Sequence, residues 1–433
     1  MTGAGHRGLR LPRHRATTAQ ACCLFPFVAQ APLPGRRVPL GLDRLGANGV
    51  FCFDPFELYG AGVLTNPNLV VVGEPGSGKS AAVKTFCHRQ LSATDAAGQG
   101  RFLAVVDPKG EYGPLAALHG LTVVRLHPGG VDRLNPLDPG LTPGGSDELA
   151  ARRVALVEAL LSSVVRRPLS PIEEAGTSWA LDELGHTSGR SVPTLADLAG
   201  LLAEPSAAMA ERAGRSAAEL ARELDPLRFA LGRLLDRDLR GMFDRPSTVR
   251  LDPAGPGVVV DLSALHHDPF ALALVMVAAA AWLQAVLGAP PERGAPRRIL
   301  VLDEAWTLLA SERTTRFLQA SFKLCRAWGV ANMAITHRIS DLRAQADDGT
   351  ATAKLAEGLL ADAQTRVVFR QAPDQLALAK TLLGLTDTQA AMVPQLGRGV
   401  ALWRLAERAH LVEHAISAAE WPFCQTDAAL TGT

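Results

Sequence analysis

Residues 69–86 read LVVVGEPGSGKSAAVKTF: apolar residues, a glycine-rich turn, then a run of helix formers. The order is that of a buried strand, a tight loop and a helix. Within it GEPGSGKS (73–80) fits G-x-x-x-x-G-K-[ST] at Gly73, Gly78, Lys79 and Ser80. Gly73, Gly76 and Gly78 free the backbone to turn successive N–H groups inward, making a nest for anionic oxygens at the positive end of a helix. Lys79 would reach the β- and γ-phosphates as a point charge, and the Ser80 hydroxyl would ligate Mg2+. The expected binding set is Gly73, Glu74, Pro75, Gly76, Ser77, Gly78, Lys79, Ser80 and Ala81, for ATP with Mg2+. A bare tight turn would also use glycines, but the full match between a strand and a helix favours a phosphate loop.

Working outward, short apolar runs recur: RFLAVVD (101–107), LTVVRL (121–126), GVVVDL (257–262), RILVLD (298–303), ANMAIT (331–336) and TRVVFR (365–370). Continuous apolar strands are what a parallel sheet covered on both faces requires. Helical patterns lie between most of them: Ser80–Leu91, and 310–328, where Leu318, Phe322 and Cys325 fall at helical spacing. The alternation predicts a doubly wound α/β core. RILVLDEAW then places two acids where a strand ends. Asp303 would hold Mg2+ through water, and Glu304 would orient and deprotonate the attacking water.

From about Ser146 to Arg245 the alternation stops. Ala, Leu, Arg and Glu dominate, and TLADLAGLLAE starts from an N-cap residue, Thr194, so an all-helical insertion is expected. Near the end, RGVALWRL (398–405) and AHLVEHAIS (409–417) are expected to pair as a β-hairpin. The predicted layout is an N-terminal segment (1–60), a first part of the core (61–145), the insertion (146–245), a second part of the core (246–420) and a tail (421–433).

Lys plus Arg number 44 against 43 for Asp plus Glu, so whole-chain charge gives no argument for nucleic acid and any such contact needs a local patch. The six cysteines show no zinc-ligand spacing and read as reduced thiols. The Arg-rich start carries ACCLFPFVAQAP, too short and too broken by proline for a targeting signal. PFALALVMVAAAAWLQAVLGA (269–289) is uncharged and long enough to span a bilayer. It leans on alanine, contains Gln284 and lies between two strand-like runs, which predicts a buried crossover helix.

Later strand ends carry further polar residues. ITHRISDL puts His337 and Arg338 after the sixth strand; His337 could hydrogen-bond the γ-phosphate or the attacking water, or be an ordinary loop histidine. TRVVFR supplies Arg366 and Arg370, either of which could act as an arginine finger on a neighbouring subunit's ATP.

Together these segments resemble the HerA–FtsK division of RecA-like motors. The specific cues are VVDPKGEYG (105–113) after the second strand and RLNPLDPG (133–140) after the third, as in conjugation and type IV secretion ATPases of the TraC or VirB-four kind. LFPFV (24–28), FCFDPFELYGAGVLTNPN (51–68) and GRGVALWRL (397–405) add to the likeness. The resemblance implies that Lys79 and Ser80 are the Walker A residues, Asp303 and Glu304 the Walker B pair, and Arg366 the trans-acting arginine. It also implies homo-hexameric rings with ATP at subunit boundaries. Where this chain has His337 the division typically has glutamine, and histidine both donates a hydrogen bond and titrates near neutrality. Secretion ATPases usually carry a further N-terminal domain, so docking is expected to depend on another protein.

The function expected is an ATP-hydrolysing motor of a conjugative or type IV secretion apparatus. It would be cytoplasmic, recruited to the inner face of the cell membrane by channel components, without an integral span of its own, and with DNA or a relaxase–DNA complex as a candidate partner. The alternatives are a DNA translocase or coupling protein, and a scaffold that binds nucleotide without turnover.

Overall fold

The computed structural model describes residue 33 and residues 38–45, 48–95, 98–138, 146–187, 192–249, 251–252, 254–287, 295–309, 312–337 and 357–425. LFPFV, Arg338, the end of RLNPLDPG and most of the tail lie outside them.

Among the described residues one sheet has eleven strands. They are β1 (Pro39–Asp43), β2 (Gly49–Cys52), β3 (Leu69–Val72), β4 (Arg101–Asp107), β5 (Thr122–Arg125), β6 (Gly257–Asp261), β7 (Arg297–Leu302), β8 (Val330–Thr336), β9 (Thr365–Val368), β10 (Val400–Leu405) and β11 (Arg408–His414). Across the sheet the order is β2-β1-β11-β10-β9-β3-β8-β7-β4-β6-β5. Every pairing from β9 to β5 is parallel. The pairings from β9 outward to β2 are antiparallel. The predicted C-terminal hairpin is β10–β11, and it extends the parallel core instead of standing apart.

The helices are α1 (Pro55–Gly60), α2 (Lys79–Ser92), α3 (Gly113–His119), α4 (Ser146–Val165), α5 (Pro171–Thr187), α6 (Leu195–Ala203), α7 (Ala207–Ala213), α8 (Ala217–Arg233), α9 (Pro269–Leu287), α10 (Glu312–Trp328), α11 (Leu376–Leu383), α12 (Asp387–Met392) and α13 (Trp421–Cys424). Side chains alternate across each strand, so each strand feeds two cores. Val70, Val72, Ala104, Val106, Leu300 and Leu302 pack with α4–α6 and α8–α10. Leu69, Val71, Leu103, Val105, Ile299 and Val301 pack with α2 and α3 on the other face. Covering both faces is why these strands read as unbroken apolar runs.

Between β5 and β6 the elements are helical, α4–α8, as the composition predicts. Thr194 caps α6 in a reciprocal box with Asp197. The uncharged run at 269 forms α9, in which every residue from Leu274 to Leu283 is 3% exposed or less. It lies against β4, α4 and α10, so its apolar surface is used in the core. Cys87, Cys325 and Cys424 are thiols outside any disulfide among the described residues.

FCFDPFELYG gains a structural meaning. Asp54 caps α1 by accepting the N–H groups of Phe56 and Glu57 at 2.8 and 3.1 Å. Its other oxygen takes Arg101 Nη2 at 2.8 Å, with both side chains buried. Removing either partner would strand a buried charge, which is why the pair fixes α1 against the start of β4.

Candidate active site

β3 sits between β8 and β9, so the loop that leaves it is flanked by the carboxyl ends of neighbouring parallel strands, the edge where doubly wound sheets bind ligands. Gly78 is the N-cap of α2 with φ +94°, and Gly76 has φ +77°, both in the left-handed region that favours glycine. A Cβ on Gly78 would also stand 2.7 Å from Gly399 N. Gly399 donates its N–H to Ser77 O at 2.8 Å, so the GRGVALWRL segment forms one wall of the loop. Gly73 differs from the expectation: its φ is not positive, and glycine is needed there because a Cβ would come within 2.6 Å of Phe369 Cβ.

Lys79, at the start of α2, and Asp303 and Glu304, after β7, are buried and close enough to influence one another's charge, although β8 lies between β3 and β7 in the sheet. Burial pushes the Lys79 ammonium down, an effect that Asp303 and Glu304 oppose. Burial likewise pushes the Asp303 carboxyl up, and Lys79 opposes it. Asp303 Oδ1 accepts the Glu304 N–H at 2.9 Å, holding Glu304 at φ +52°, an uncommon posture for a residue with a side chain.

His337 joins the two halves of the site. Lys79 Nζ lies 3.1 Å from His337 Nδ1. An ammonium only donates, so Nδ1 accepts and the ring proton sits on Nε2, which donates to Glu304 Oε1 at 2.5 Å. Lys109 Nζ pairs with the same oxygen. Trp306 Nε1 donates to Glu304 Oε2 at 2.6 Å. Burial pushes the Glu304 carboxyl up, but His337 and Lys109 outweigh it and hold it down to about 2.

Lys109 belongs to DPKGEY, which is folded as a bracket. Asp107 accepts the N–H groups of Lys109 (3.2 Å) and Gly110 (2.9 Å) on one oxygen and that of Tyr112 (2.9 Å) on the other. Glu111 then pairs with Lys84 of α2 at 3.1 Å, tying the bracket to the phosphate-loop helix.

The arginines separate. Arg370 Nε pairs with Glu74 Oε1 at 2.5 Å, beside its own phosphate loop. Arg366 is directed to the carbonyls of Leu383 (2.9 Å) and Leu360 (3.3 Å), away from that loop. Burial, then Arg404, lowers its affinity for a proton. Gln371, buried, donates to His337 O at 3.3 Å while its Oε1 has no partner among the described residues.

Lys109, Trp306 and Gln371 join the site without having been marked as site residues from the sequence. DPKGEY signalled Lys109's segment, but which acid it meets depends on β4 lying beside β7. The arrangement fits a nucleoside triphosphate: Gly78 offers no side-chain cap to the first turn of α2, Lys79 is a buried cation, and Ser77 Oγ is buried without a partner among the described residues. Ser80, half-buried on that turn, and Asp303 supply hard oxygens of the kind Mg2+ takes.

A parallel sheet with this loop between β3 and α2, and an acidic pair ending β7, is a RecA-like P-loop fold. VirB4 of Thermoanaerobacter pseudethanolicus shares it, with a TM-score of 0.71 and 21% identity over 90% of this chain and 100% of that one. The plasmid coupling protein TrwB in complex with ADP and Mg2+ is similar at a TM-score of 0.56 and 18% identity, over 81% of this chain and 86% of that one. TrwB with a non-hydrolysable ATP analogue aligns at 0.55 and 19% identity, over 81% and 85%. No family model and no curated protein sequence matches this chain.

Proposed function

We propose that this chain is an ATP-hydrolysing motor of a conjugative or type IV secretion apparatus. The observation that carries the reading is the meeting of Lys79, Asp303 and Glu304 at one sheet edge. The likeness in fold to VirB4 supports the setting. In this reading the 73–81 loop cradles the phosphates, Lys79 neutralises their charge, and Glu304 orients water and takes its proton. Mg2+, held by Ser80 and through water by Asp303, would supply charge stabilisation at the phosphates. Residues 61–145 and 246–420 would form the motor core, 146–245 an insertion, 1–60 the leading segment and 421–433 the tail. The working unit would be a homo-hexamer recruited to the inner membrane face by channel components.

A coupling-protein role, moving DNA or a relaxase–DNA complex, is favoured by one observation, the shared fold of TrwB. Salt-sensitive stimulation of hydrolysis by DNA would point to it, and no stimulation to an assembly ATPase. The primary test is steady-state phosphate release. Wild type should exceed Lys79→Ala by at least about tenfold; equal rates would remove the hydrolytic claim and leave a nucleotide-dependent scaffold.

A further inference from the structure

Glu304 is held on both carboxylate oxygens. Oε1 receives His337 Nε2–H at 2.5 Å and the Lys109 ammonium, and Oε2 receives the Trp306 indole N–H at 2.6 Å. A carboxylate oxygen has two lone-pair sites, so two donors fill Oε1. A base in that state has only the remainder of Oε2 for a water molecule, and the Glu304 side chain is 8% exposed.

The two donors on Oε1 lead to different places. His337 connects through Nδ1 to Lys79 on the phosphate loop. Lys109 stands on the bracket built by Asp107, and that bracket is anchored by Glu111 to Lys84, one turn beyond Ser80 on α2. A shift at the start of α2 therefore reaches Lys109 through a short chain of fixed contacts. Lys109 lies 2.9 Å from His337 Nε2, so the cation crowds the ring proton as well as pairing with the acid.

We propose that Lys109 is a positioning residue that brakes hydrolysis: its ion pair with Glu304 holds the carboxylate away from the attacking water, and turnover requires the pair to open. The proposal rests on the hydrolytic role assigned to Glu304 above. It also gives the bracket a task. A lysine serving only to neutralise Glu304 could come from any mobile side chain, whereas this one is set on a loop whose backbone is triply tied and linked to the nucleotide-binding helix.

The test uses full-length Lys109→Ala, Lys109→Gln, which keeps most of the hydrocarbon stem, and Lys109→Arg, which keeps the cation. Lys109→Ala and Lys109→Gln should raise kcat for ATP at least about threefold, with KM for ATP within about twofold, and Lys109→Arg should return kcat toward wild type. Trp306 emission, taken as the difference from a Trp306→Phe background, supplies a second readout independent of turnover. Without nucleotide, Lys109→Gln should show the emission shift that a non-hydrolysable ATP analogue with Mg2+ produces in wild type. An unchanged or lowered kcat in a variant that still binds nucleotide overturns the brake and leaves the ATPase reading standing. A wild-type protein that binds ATP without hydrolysing it removes the reading beneath the proposal instead.

Discussion

Lys79 and Asp303 are each buried, and burial opposes the charge of each while their proximity favours it. Such pairs are readable when the residues lie in local motifs, as GEPGSGKS and RILVLDEAW do. Lys109 and Trp306 are different: the oxygens they meet are chosen by strand adjacency and by backbone posture at Glu304, neither of which leaves a mark in the sequence. His414 is a third residue whose setting emerges only on folding. It is engaged by Gly399 O at 2.9 Å and by the Trp403 indole N–H at 3.2 Å, behind the loop wall. Burial lowers its proton affinity from an ordinary 6.5 to about 4. Protonation therefore favours the unfolded chain, so the contribution is whole above pH 6.5, falls as pH drops toward 4 and then levels. The loss should be on the order of 2 kcal/mol, somewhat discounted because the ring is only partly enclosed. Denaturant unfolding of wild type and His414→Gln between pH 7 and 4 checks this. The difference in stability between them should shrink over that window, and a constant difference would show that His414 does not titrate there.

At the scale of elements, the apolar runs at 69, 101, 121, 257, 298, 331 and 365 are all strands; the central ones, buried on both faces, have no polar side to blur their boundaries, whereas β5 lies at the sheet edge with Thr122 and Arg125 exposed. The amphipathic pattern before Trp328 is α10, with Leu318, Phe322 and Cys325 buried. β1 and β2 carried no such signal. They are short, contain Pro39, Gly41 and Gly49, and have exposed positions at Leu42 and Val50. β1 is placed by pairing with β11, more than three hundred residues away, and β2 by pairing with β1, and periodicity cannot report such pairing. The same limit applies to sheet order. That β4 adjoins β7 decides the site, and no local pattern states it.

At the scale of the whole molecule, the Arg366 guanidinium donates to the carbonyls of Leu383 and Leu360 of its own chain, and the proposed trans role requires it to leave them for a neighbouring subunit's nucleotide. If rings form, Arg366→Ala and Glu304→Gln should each be nearly inactive alone, whereas mixed rings should recover a measurable fraction of activity through interfaces that combine an intact base with an intact arginine. Recovery should follow the mixing ratio; its absence at every ratio would remove Arg366 from the trans role. The proposed hydrolysis of ATP with Glu304 as the base is reached most directly by one comparison. Nucleotide binding and phosphate release are measured side by side for wild type and Glu304→Gln. Glu304→Gln should keep Mg2+–ATP affinity within about threefold of wild type and lose turnover by at least about a hundredfold. Turnover by Glu304→Gln close to that of wild type, at equal nucleotide occupancy, would contradict it.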